Sequence, residues 1–146
     1  MLDFFEGKKE AADLDQKTIG GTWGTATSIL AKGVVEPEQP AVRDAIGHTV
    51  SEIRKSDALM ANYVMKYFNM LARQIIAMDK AVARRVQIAY VVGNSCVKGV
   101  YVETDVALGK IFEGLNLRYR TKNIERFRKR NSGVDLYETT VFVERL

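Results

Sequence analysis

The sequence predicts a mainly α-helical domain: a helical bundle built on a long central helix, with a minor C-terminal β element. Three observations carry this prediction. First, Ser56 to Ala89, SDALMANYVMKYFNMLARQIIAMDKAVARRVQIA, wound at about 100° per residue, gathers its polar side chains into one narrow file. Asn62, Lys66, Asn69, Arg73, Lys80, Arg84 and Gln87 fall in that file, and apolar residues fill most of the remaining circumference. Second, Val42, Ala45, Ile46, Thr49, Val50 and Ile53 form an i, i+3, i+4 stripe in phase with the same apolar face. Third, β-branched and aromatic residues cluster after Ala89 and again at the C-terminus.

The 146 residues, 47% of them hydrophobic and 27% charged, are enough for one domain with a real core. Residues 1–37 read as an N-terminal arm followed by a weak, Gly-rich helix. MLDFFEGKKEAADLD holds five acids and lacks the basic-then-apolar layout of a secretory signal. Trp23, Ala26, Ile29 and Leu30 form the face of a short helix closed by Gly33 at C′. Neither GGTWGT nor EGKKE meets the spacing of a phosphate-binding loop.

Residues 38–92 form the long apolar helix or a helix pair. Pro40 suits a first helical turn, where its missing N–H costs nothing. Two readings fit: one uninterrupted helix over 40–89, about 75 Å long at 1.5 Å per residue, or a break near residue 56. Ser56-Asp57 is a reasonable cap pair, and continuous helices of that length are rare in small domains, which favours the break. Either way, Tyr63, Tyr67, Phe68, Met70, Leu71 and Ile75 make an apolar face expected to meet another subunit. The polar file is expected to be its water-facing part.

In residues 97–146, Val97 to Glu103 reads as a short strand, with Thr104 or Asp105 capping a helix through Leu108, Ile111, Phe112, Leu115 and Tyr119. Ile124 and Phe127 lie about 160° from that stripe, implying a kink near Thr121–Asn123. VDLYETTVFVERL reads as a C-terminal strand, paired with Val97–Glu103.

Charge supplies the functional clue. Lysine and arginine exceed the acids by four, yet between Leu117 and Asn131 seven basic residues meet a single acid, Glu125. Arg118, Arg120, Lys122, Arg126, Arg128, Lys129 and Arg130 thus concentrate +6, and the rest of the chain sums to −2. Read as the outer arc of a helix, with Tyr119 available for stacking, this segment suits phosphate contacts that are sequence-independent and salt-dependent. Set against that are a solvated helix end and an acidic protein neighbour.

Catalytic chemistry finds no set of residues. Cys96 and His48, the lone cysteine and histidine, sit on separate elements without flanking residues of a nucleophile–base pair, and one of each cannot build a zinc site. Met60, Met65, Met70 and Met78 suit packing better than a soft-metal box. Asp79 and Arg85 interrupt the apolar surface and call for partners across an interface or mark its edge. No run of about 18 uncharged apolar residues suggests a membrane span.

The expectation is a non-enzymatic, self-assembling structural subunit that contacts DNA or RNA through its basic segment, such as a viral coat or nucleoprotein component. It would be a homo-oligomer or part of a protein assembly, without cofactor or metal, cytoplasmic or within a virion. The competing expectation is a small helical subunit of a larger complex without nucleic acid.

Overall fold

A computed structural model describes residues 31–128 and 136–146. Its elements are α1 (Pro40–Arg54), α2 (Ala58–Asp79), β1 (Gln87–Gly93), β2 (Ser95–Val97), β3 (Val100–Val102), α3 (Thr104–Gly114), β4 (Tyr119–Arg128) and β5 (Tyr137–Arg145). Of the described residues 44% are helical and 29% lie in antiparallel strands, so the fold is α+β and not a helical bundle with a minor β element. The Gly-rich helix and Trp23 fall outside the described residues.

The chain does break after α1. Asp57 is extended and caps α2, its carboxylate accepting from the Met60 amide at 2.9 Å. The stripe on α1 is buried through Val42, Ile46, Val50 and Ile53. The second helix stops at Asp79, ten residues short of the expected Ala89. Beyond it, residues 87–93 are extended and pair with β5, from Gln87 opposite Glu144 to Gly93 opposite Glu138. Val86 and Ala89 fit the helical phase of α2, but Ile88, Tyr90 and Val92 alternate, and a partner strand about fifty residues away selects the period of two.

The three-stranded sheet has the order β1-β5-β4, with β5 in the centre. The second strand region is a separate hairpin, β2 with β3. Its turn is Lys98-Gly99, both at positive φ (50° and 81°), the geometry of a two-residue hairpin turn. The expected pairing of Val97–Glu103 with the C-terminal strand does not occur; β1 and β4 flank β5 instead.

Helix α3 covers one face of the sheet. Phe112 is fully buried between Tyr90 and Tyr119, both edge-to-face at centroid distances of 5.4 and 5.2 Å. Gly109 allows the approach to the sheet, and Gly114 the close contact with α1. A Cβ on Gly109 would lie 2.9 Å from Thr121 Oγ1, and one on Gly114 would lie 2.8 Å from Ala41 Cβ.

The polar file of α2 faces water only in part: Arg73 and Lys80 are exposed, but its first half turns inward. Asn62 and Asn69 are buried and hold the backbone of residues 33–38. The Asn62 Oδ1 accepts from the Val35 amide (3.0 Å) while its Nδ2 donates to the Gly33 carbonyl (2.8 Å). Asn69 repeats this pattern with the Glu38 amide and the Glu36 carbonyl (3.0 and 2.8 Å). The spacings agree: seven residues of helix rise about 10.5 Å, and three residues of extended chain span about 10 Å. Arg73 continues the file with a two-pronged bond to Glu38, 2.6 Å at each nitrogen.

Candidate nucleic-acid interface

Over its described residues, 117–128, the basic segment is neither helical nor the end of a helix. After α3 the chain reverses through Asn116 and Arg118, both at positive φ (57° and 60°), and enters the edge strand β4. The sequence missed this because Ile124 and Phe127 were fitted to a helical period with a kink. In a strand they point to opposite faces, so Ile124 is half-buried under α3 and Phe127 is 59% exposed. Tyr119, expected to be free for stacking, is buried in the aromatic core. Phe127 is the exposed aromatic of the segment.

Among the described residues, three of the expected cations bond to carboxylates of the chain itself. Arg120 and Lys122 share Glu144 on the opposing strand, Lys122 at 3.1 Å and Arg120 closer still. These two bonds hold the Glu144 carboxyl below the usual carboxylate range. Sharing leaves one uncompensated positive charge at this end of the ribbon. The register slips between Thr121 and Asn123, so Lys122 sits on a bulge.

Arg126 is tied most firmly. Its Nε donates to Asp105 Oδ2 at 2.7 Å, a second nitrogen lies 3.6 Å from Glu103, and the guanidinium lies 5.9 Å from the centre of the Tyr137 ring. Asp105 has no exposed side-chain surface. Burial alone would push its carboxyl up, but Arg126, the Val106 amide at 2.8 Å and Asn94 outweigh this and hold it low. Asn94 Oδ1 in turn accepts from the Asp105 amide at 3.2 Å, and its Nδ2 donates to the Tyr101 hydroxyl at 3.3 Å. This network fastens β4 to the start of α3, so Arg126 is a structural residue of the ribbon.

Arg118 is exposed ahead of the strand. Arg128 ends β4, while Lys129 and Arg130 lie outside the described residues. The structure thus places Arg120, Lys122 and Arg126 on one strand, with Arg118 just ahead of it and Arg128 at its end.

The expected subunit face on α2 divides. Phe68, Leu71 and Ile75 are buried in the chain's own core, which withdraws them from any interface; Tyr63, Tyr67 and Met70 are half-buried. Asp79 is paired within the chain, with Arg145 at 3.2 Å. His48 and Cys96 are exposed. Among the described residues no group of acids, His and Cys is arranged to hold a metal, and no helix is long and apolar enough to cross a membrane.

No protein family, curated protein or solved structure matches this chain.

Proposed function

We propose that this chain is a non-enzymatic, self-assembling subunit that contacts nucleic acid through the ribbon formed by β4 and β5, as in a coat or nucleoprotein component. The observation that carries this reading is the placement of charge. Residues 118–146 hold eight basic and four acidic residues, the whole excess of the molecule, and β4 sets its cations along an exposed edge. The bulge turns Arg120, Lys122 and Phe127 to the face away from α3, while Arg126 bonds to the start of α3, so that outer face offers the donors of Arg120 and Lys122 to a phosphate backbone. Exposed Phe127 adds a surface on which a base can stack. Contacts of this kind are independent of sequence and weaken steeply with salt.

The test is titration of labelled single-stranded and duplex oligonucleotides at rising salt. Arg118, Arg128, Lys129 and Arg130 changed together to Gln are expected to abolish binding and leave the circular dichroism spectrum unchanged. Binding that survives this change would sink the proposal. The pairing of Arg120, Lys122 and Arg126 with the chain's own carboxylates favours a second reading, a subunit of a protein complex without nucleic acid. Under that reading the purified protein carries no absorbance excess at 260 nm.

A further inference from the structure

The two edges of the sheet are built in opposite ways. Strand β4 carries arginines, a lysine and a bulge, features that stop an edge from pairing with another chain. Strand β1, Gln87–Gly93, has no charge, no proline and no break in register. The amide of Asn94 donates to Tyr137 and that of Arg145 donates to Val86. This phase turns the N–H and C=O of Ile88, Tyr90 and Val92 towards β5 and those of Gln87, Ala89, Val91 and Gly93 outward. Among the described residues, no hydrogen bond reaches those outward groups. Val91, beside them, is 65% exposed, the highest figure for a large hydrophobic side chain among the described residues.

We propose that β1 is the seam of a two-fold homodimer. A second copy of β1 adds antiparallel to the first, joining two three-stranded sheets into one of six. Three arguments select a second copy as the occupant. The outward residues are symmetric about Tyr90, so antiparallel self-pairing sets Gln87 against the partner's Gly93 and Ala89 against the partner's Val91, closing about eight hydrogen bonds. The strand is uncharged, so its copies meet without repulsion. The guarded β4 edge prevents the head-to-tail contact that would give fibres, and pairing through one edge closes at two. The net positive charge does not oppose this. The two β4 strands would stand about 24 Å apart at 4.8 Å per strand, beyond the screening length of about 8 Å in physiological salt.

This seam deepens the assembly half of the proposed function and is independent of its nucleic-acid half. It also moves the interface from α2, whose apolar face is largely used internally, to the sheet.

The test is sedimentation equilibrium of the full chain and of two variants, Val91→Lys and Val91→Pro. The first adds the charge that guards β4; the second removes an N–H that β5 does not use. Wild type is expected at twice 16.4 kDa, and both variants at 16.4 kDa with unchanged circular dichroism and intact oligonucleotide binding. A wild-type mass of 16.4 kDa at all concentrations overturns the proposal, as does an oligomer that survives both substitutions. Should a variant fail to fold, amide exchange in wild type decides: the Ala89 and Val91 amides are expected to lose protection on dilution, and rates independent of concentration overturn the seam. Loss of binding in the arginine variant with the dimer intact touches only the nucleic-acid proposal.

Discussion

The polar file of α2 and the cationic strand β4 look alike as sequence, each a set of polar side chains expected to face water. They end in different surroundings. Asn62 and Asn69 are buried and hold the backbone of residues 33–38, whereas Arg120 and Lys122 stay exposed and share one carboxylate. An amide side chain donates and accepts at once, so it can replace a neighbouring strand. A guanidinium or ammonium only donates, and it needs an anion or water. The residue type therefore limited what each set could do once the chain lay against it.

The largest effect is expected where burial is deepest. Asn62→Ala or Asn69→Ala leaves a peptide N–H and C=O unpaired, at about 2 kcal/mol each, read as a lowered urea midpoint. Asn62 should be the costlier, since it also accepts from Arg54 at 2.9 Å. Equal stability of both variants and wild type would mean that water replaces the clamp.

On the strand side, Asp105→Asn tests whether Arg126 is structural. The carboxyl of Asp105 is held below its ordinary value of 3.8, so its contribution is present above that pH. It is lost as the pH falls through the lower folded value. Wild type should lose this increment during acid unfolding, and the variant should begin without it, about 1–2 kcal/mol less stable at neutral pH. Coincident acid-unfolding curves would remove Arg126 from the structural set.

Glu144→Gln acts on function more than on stability. It frees the one positive charge that Glu144 compensates, so the slope of log affinity against log salt should steepen by about one. An unchanged slope would show that neither cation reaches phosphate.

The smallest effect belongs where the two regions meet, at Tyr119 opening β4 beside Asp79 ending α2. Burial, then the Asp79 carboxylate, pushes the Tyr119 hydroxyl up to about 12. Its contribution is complete below about 10 and disappears as the pH rises through 12. Tyr119→Phe should flatten alkaline unfolding between those values and remove one late-titrating phenol from the ultraviolet absorbance.

Much of the fold was legible from local chemistry. Pro40 and Asp57 marked where helices begin, the α1 stripe marked a core face, and the β-branched C-terminus marked a strand. The end of α2 was not legible, because VQIAYVV satisfies both periods and the choice rests on β5, far along the chain. The candidate site was half legible: its cations could be counted, but their carboxylate partners Glu103, Asp105 and Glu144 lie on other elements. Phe127 was not legible either: plain alternation puts it on the face of buried Tyr119, and only the bulge at Lys122 turns it outward.

By itself the sequence determined where charge concentrates, which stretches are apolar and where helices start, since these follow from side chains and short-range backbone bonds. Tertiary structure alone decided that residues 119–128 of the basic stretch are an edge strand, that two asparagines serve as a backbone clamp, and that no described residue pairs with the outer edge of β1. Each of these depends on which distant segment supplies the other half of a hydrogen bond, and no local period encodes that.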